Sequence, residues 1–325
     1  VTPAHAVYEQ AKPEQQSVWQ QHAQRRNLRL WIKDLLHHET RRNVISTALI
    51  IGLSAPFALL TLLAKTLLPE RFGRWVQNER KRIDLSVDTL VPINAESDEA
   101  ATIESPRHGF SDEEQADRVE NFLRTIGLVS GYAPFVIMMG HGSSSENNPH
   151  MAAYDCGACS GRHGGPNARI FAAMANRPQV RKLLVERGLD IPQDTIFLGA
   201  EHNTCDEVIE WYDIDQLSNE QVEPWQQINN SLDQACRLSA HERSRRFMSA
   251  SPVIEINTAL KHVIGRSYDF SQARPELGHA TNATAFIGRR ALSQGAFFDR
   301  RAFLISYDSS IDPDGRIIEA ILLAA

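Results

Sequence analysis

Residues 133–173 read APFVIMMGHGSSSENNPHMAAYDCGACSGRHGGPNARIFAA, and the fold class follows from how this stretch is parsed. The run Phe135-Val136-Ile137-Met138-Met139 is apolar throughout, short, and closed by Gly140-His141-Gly142. Such a run, bounded by turn residues, predicts a strand buried on both faces of a parallel sheet. Its carboxyl end then delivers His141 to the crevice where open α/β sheets keep their chemistry. A polar loop follows, then Asp155-Cys156-Gly157-Ala158-Cys159, then a glycine-rich turn, Gly161-Arg162-His163-Gly164-Gly165, which opens a helix from about Asn167 to Ala175.

Neutral imidazole and thiolate are preferred zinc ligands, so His141 and Cys156, both carried by loops at this edge, read as half of a zinc site. Two other readings fit the same residues. His141 caps the strand while Cys156 is a small buried hydrophobe, or Cys156 and Cys159 form a redox C-x-x-C pair, which needs an exposed thiol of lowered pKa. Backbone N–H groups at the glycine turn favour an anion such as bicarbonate, or the glycines simply let a loop pack tightly.

Three further segments accompany the motif: IPQDTIFLGAEHNTCDEV at 191–208, RSYDFSQARPELGHATNATAFIGRRAL at 266–292 and RAFLISYDSSIDPDGRIIEAIL at 301–322. Together with GHGSSSENNPHMAAYDCGACSGRHGGPNARIFAAMAN, they closely resemble the DabA family, the large soluble subunit of a two-component inorganic-carbon pump. The resemblance implies a β-carbonic anhydrase-like α/β fold, a mostly parallel sheet flanked by helices with additional helical segments. It also implies a Zn2+ cofactor whose later ligands fall on His141 and Cys156, and hydration of CO2 to bicarbonate coupled to a membrane ion-conducting partner, DabB. The implied location is the inner membrane, peripheral, on the cytoplasmic side. The family's other thiolate and its Asp/Arg dyad come from a Cys-x-Asp-x-Arg motif. No cysteine here begins one: Cys156 is followed by Gly-Ala, Cys159 by Ser-Gly, Cys205 by Asp-Glu and Cys236 by Arg-Leu. With Val1 at its start and Ala325 inside an apparent helix, the chain reads as an internal portion carrying half of the zinc site, with turnover alone in doubt.

The 325 residues allow one large or two ordinary domains. A net charge of −6 gives no drive toward nucleic acid, and four scattered cysteines argue against a disulfide-stapled secreted protein. Three regions are expected: a partly apolar helical region at 1–91, an acidic linker at 92–110, and an α/β zinc-site domain at 111–325.

Within the first, residues 1–42 predict an amphipathic helix packed on the domain, with Leu28, Trp31, Ile32, Leu35 and Leu36 at helical spacing and a basic cluster at Arg25, Arg26, Arg29 and Lys33. Residues 43–64, NVISTALIIGLSAPFALLTLLA, carry no charge and are long enough for a membrane span. Pro56 is expected to break that helix, and basic residues on both sides favour no orientation. A helical hairpin buried in the protein, or resting on a membrane partner, fits better.

Ser111-Asp112-Glu113-Glu114 reads as a capping box opening a helix with Val119, Phe122, Leu123 and Ile126 on its apolar face. Thr195 to Ala200 predicts a second strand, and the Glu201-His202 that follows offers partners for a metal-bound histidine or a substrate pocket. Arg274 beside Glu276 suits an anion or an ion pair. Residues 224–246 predict an amphipathic helix that buries Cys236 as core. The loop Asp308 to Gly315 fails as an EF-hand because Pro313 stands at the glycine position. A redox protein using Cys156 and Cys159 and a metal-stabilised scaffold without catalysis are the alternative functions.

Overall fold

The computed structural model of the chain describes residues 5–83, 87–95, 102, 107–145, 162–272, 282–299 and 301–324; Cys156, Cys159 and Arg274 lie outside them. In chain order the elements begin with β1 (His5–Ala6), β2 (Gln10–Ala11), α1 (Gln16–Arg42), α2 (Val44–Leu67), α3 (Pro69–Ile83), β3 (Thr89–Leu90) and β4 (Arg107–His108). The central unit is α4 (Asp112–Thr125), β5 (Phe135–Gly142), α5 (Gly165–Ala175), α6 (Pro178–Glu186), β6 (Ile196–Asn203) and β7 (Val208–Trp211). Then come α7 (Asn219–Ser244), α8 (Ile256–Tyr268), β8 (Thr284–Gly288), α9 (Arg290–Ser293), β9 (Ala302–Ser306) and α10 (Arg316–Ala324).

The α/β class is present, but the sheets are small. The central one has three strands in the order β5-β6-β7, β5 parallel to β6 and β7 antiparallel to β6. The register runs from Phe135↔Ile196 to Gly142↔Asn203. Both long strands outrun the lengths read from sequence. Hydrophobicity stops at Met139 and Ala200, yet the ladder continues through His141 and Asn203, because each strand supplies the other's backbone partners whatever its side chains are.

Helix α4 starts as the sequence demands: the Ser111 hydroxyl accepts from Glu114 N–H, and the Glu114 carboxylate accepts from Ser111 N–H. Its Val119 and Leu123 meet Ala172 and Ala175 of α5, Val180 and Leu184 of α6, and Phe197 of β6 in the main core, which Val7, Val91, Ile93 and Phe110 join from the amino-terminal side. Helix α5 lies close on the sheet because residue 199 is glycine; a Cβ there would stand 2.7 Å from the Arg169 Cα. Arg169 in turn ties in the amino-terminal segments, donating to Asp213, Glu9, the Thr89 hydroxyl and the Thr89 carbonyl.

The amino-terminal helices depart from expectation. α1 buries none of its residues, so it is not a helix packed on the domain through an apolar face. α2 runs unbroken from Val44 to Leu67 through Pro56, and it too buries nothing, which removes the reading of a hairpin buried in the protein. Near the other end, β8 and β9 form a parallel pair. The aspartates of the 308–315 loop are used as caps: Asp308 accepts from Ser310 N–H, and the Asp312 carboxylate accepts from Ile317 and Ile318 N–H.

Candidate functional site

Alternation along β5 and β6 divides their carboxyl ends between two faces of the sheet. Gly140, Gly142 and Glu201 lie on the face covered by α5. His141 and His202, paired in the ladder, lie on the other, toward α7.

On the α5 face, the Glu201 carboxylate accepts from Gly165 N–H at 2.8 Å and from the His163 ring, Nδ1 at 2.5 Å. The helix amino terminus that the sequence offers to bicarbonate is therefore occupied by a carboxylate of the protein itself, the same electrostatic preference satisfied from within. Tyr212 stands beside it, and burial, followed by the Glu201 charge, raises its phenol far above the ordinary range. Gly140 belongs to this packing: a Cβ there would stand 2.5 Å from the Gly164 carbonyl carbon. The clearance lets the 162–165 segment cross the strand and donate Gly164 N–H to the His141 carbonyl at 2.7 Å.

The described residues on either side of 146–161 thus lie at one edge of the sheet. On the near side, Ser144 N–H donates to Asn203 Oδ1 at 3.2 Å, and Ser143 Oγ lies 3.4 Å from the buried Cys205 Sγ. On the far side, Gly164 is bonded to His141. The His141 side chain is exposed, and no described residue hydrogen-bonds its ring.

On the α7 face, His202 is held rather than open. Its Nε2 lies 2.6 Å from Glu207 Oε2 and 3.7 Å from Cys236 Sγ. The tight turn after β6 aims Glu207 back at the strand it has just left, with Glu207 N–H donating to the Asn203 carbonyl. Glu207 adopts φ 60°, a left-handed conformation unusual for glutamate. Its other oxygen, Oε1, accepts from Ser239 Oγ at 3.1 Å and from the Arg243 guanidinium; the Glu207 and Arg243 side chains are each 1% exposed. Burial alone would raise the Glu207 carboxyl. The His202 hydrogen bond and the Arg243 charge outweigh it and hold the group below the usual carboxylate range. The anionic form of Glu207 is thereby favoured despite its burial.

Cys236 goes the other way: burial, then the neighbouring Glu207 charge, push its thiol up to about 11. The sequence reads Cys236 as core, and it is buried, but against a polar cluster rather than only apolar chains. Among the described residues, His202, Glu207 and Cys236 form the one group of three potential metal-binding side chains, their donor atoms within 4.8 Å of one another. Of the residues singled out from sequence, the structure brings His141 and His202 together and places Glu201 on the opposite face. Glu207, Ser239 and Arg243 were missed, although Cys236, Ser239 and Arg243 repeat at i, i+3 and i+7 on one helix face, a visible signal.

A family model described as "Probable inorganic carbon transporter subunit DabA" matches residues 1–325. The chain belongs to the DabA family. Curated DabA relatives bearing the same description include one from Methylococcus capsulatus, 54% identical over 330 residues with 100% of this chain and 30% of the relative covered. Another, from Dechloromonas aromatica, is 51% identical over 325 residues, covering 100% of this chain and 32% of the relative. A third, from Nitrosococcus oceani, is 44% identical and covers 99% and 29%. The chain thus spans about 30% of the length of the curated DabA relatives it matches. No solved structure matches it significantly.

Proposed function

We propose that this chain carries part of the zinc centre of a carbonic anhydrase-like subunit in a membrane-associated inorganic-carbon uptake complex. The observation that supports it most is that Ser144 and Gly164, on either side of the segment that carries Cys156 in sequence, are hydrogen-bonded to the strand edge that presents His141. His141 and Cys156 are the ligands, and a thiolate and the Asp/Arg dyad come from another part of the protein. The donor types fit: an exposed imidazole at a strand end and a thiol on an adjoining loop are zinc-binding chemistry. Bound zinc would lower the pKa of its water toward neutrality, supplying hydroxide for CO2 hydration to bicarbonate.

The residues around the ligands have separate tasks. Glu207, fixed by Arg243 and Ser239, hydrogen-bonds the His202 ring and so fixes the orientation of the imidazole next to His141 in the ladder. Glu201 neutralises the α5 amino terminus and holds the 162–165 segment in place. The membrane ion-conducting partner, DabB-like, couples ion flow to net uptake, with the subunit peripheral on the cytoplasmic side of the inner membrane.

A second reading rests on the triad itself: His202, Glu207 and Cys236 hold the metal. Against it, Glu207 already accepts from three donors, and the 2.6 Å contact between His202 and Glu207 is a hydrogen-bond length. Elemental analysis of the full-length protein separates the two. Near-stoichiometric zinc that is lost in His141→Ala and Cys156→Ser and kept in Cys236→Ser supports the first reading; loss in Cys236→Ser alone installs the second. If zinc is absent from the unmutated protein, Cys156-Cys159 redox chemistry takes precedence.

A further inference from the structure

We infer that α1 and α2 form a two-layer lipid-binding arm that lies in the plane of an anionic membrane leaflet, α2 among the acyl chains and α1 at the phosphates. The inference stands apart from the zinc reading and does not depend on it.

The arm goes out and comes back. The segment before α1 is fixed to the body: β2 pairs with β3, and Lys12 is ion-paired with Asp215. The far end of α2 is fixed as well, because α3 follows at once and packs on α8, where Gly73 lies against Tyr268. Between these two feet, α1 has 27 residues and α2 has 24, separated only by Asn43. At about 1.5 Å per residue each helix is roughly 35–40 Å long. The two touch near the turn, where Thr47 Oγ1 donates to the Glu39 carbonyl.

α2 is long and apolar enough to cross a membrane by length and composition alone. The path of the chain excludes it as a lone span. If α2 crossed, α1 would have to cross back, carrying Arg25, Arg26, Arg29, Lys33, Asp34, Glu39, Arg41 and Arg42. Charged side chains at bilayer depth are strongly unfavourable.

The distribution of side chains around α2 identifies the occupant. Placed at about 100° per residue, exposed Leu49, Leu53, Leu60 and Phe57 lie on one side, Ile51 and Leu62 opposite, and Leu59 and Leu63 between them. The remaining quadrant holds Thr47, Ser54, Thr61 and Lys65, and Thr47 is the residue that meets α1. A helix seated in a protein groove presents one apolar stripe. Apolar exposure over three quadrants is what a hydrocarbon solvent accommodates; of the polar strip, Thr47 meets α1 at the turn while Ser54 and Thr61 stay exposed. α1 supplies the complementary charge: six Lys and Arg residues named above against two acidic ones, in a chain whose net charge is −6. Basic side chains above an apolar layer match anionic headgroups.

The test is flotation of the full-length protein with vesicles of phosphatidylglycerol and phosphatidylethanolamine (3:7), compared with phosphatidylcholine alone. The expected result is flotation with the anionic vesicles and several-fold less with the neutral ones. Leu53→Glu/Leu60→Glu should reduce flotation at least tenfold, and Arg25→Gln/Arg26→Gln/Arg29→Gln should remove the preference for phosphatidylglycerol. None of these positions is buried, so thermal melts and zinc content should stay as in the unmutated protein; this separates failure here from failure of the zinc reading. Equal flotation of the leucine double variant overturns the inference. So does an unmutated protein that stays with the soluble fraction until the ion-conducting subunit is reconstituted in the vesicles, which would make a protein the occupant.

Discussion

Leu184 in the amphipathic helix α6 and Leu53 in the almost uncharged helix α2 are the same residue type, yet Leu184 is 0% exposed and Leu53 is 76% exposed. The first belongs to a helix whose polar side faces water and whose apolar side fills the α4-α5-α6-β6 core. The second belongs to a helix with no partner on three sides among the described residues. The same apolar side chain therefore means two different things in one chain. In the core it stabilises the fold, and in the arm it only makes a surface that a different solvent must cover.

The sharpest way to break that comparison is within the core's polar counterpart. Arg243→Met leaves buried Glu207 without its guanidinium, held only by His202 and Ser239, and unfolding free energy measured in urea should fall by about 3–5 kcal/mol, the usual consequence of removing one member of a buried pair. The double variant Arg243→Met/Glu207→Gln should recover much of that loss, because no charge is stranded.

Leu184→Ala should lower stability by about 2–5 kcal/mol through lost transfer energy and the cavity left behind. Leu53→Ala in the arm should change it by less than about 0.5 kcal/mol, as for surface positions generally. Equal losses at the two sites would show that the arm is packed in the folded chain.

The Glu207 charge also sets a pH dependence. Its folded value is depressed below the ordinary 4.5, so the stability it contributes is present above that value and is lost as pH falls through the depressed one. Acid titration followed by circular dichroism should show a steeper loss of structure below pH 4.5 in the unmutated protein than in Glu207→Gln. The smallest effect belongs to the capping box: Ser111→Ala should reduce stability by about 1 kcal/mol, with Glu114→Ala adding little once the serine is gone.

Much of the core was legible in advance because its signals are local. The capping serine, the 3.6-residue spacing of Val119, Leu123 and their neighbours, and the apolar run before His141 each depend on a few adjacent residues. Helix α5 begins at Gly165, two residues before the start expected after the glycine turn. The site was legible only in part. His141 and His202 are marked by their positions at strand ends, and the ladder pairs them. Cys236 looks like core from its own helix, and only the turn that swings Glu207 back against α7 shows that its neighbours are charged.

The sequence by itself determined the class of the chain, the strand that carries His141, the identity of its family and the absence of charge from the α2 stretch, since all of these reside in residue order. The tertiary structure decided which side chains share a face. It brought Glu207 from the turn after β6, and Arg243 and Cys236 from α7, to His202, gave the α5 amino terminus to Glu201, and left α2 uncovered by the described residues. Contacts between segments far apart in sequence depend on how strands register and how helices are laid across them, and no local pattern encodes those distances.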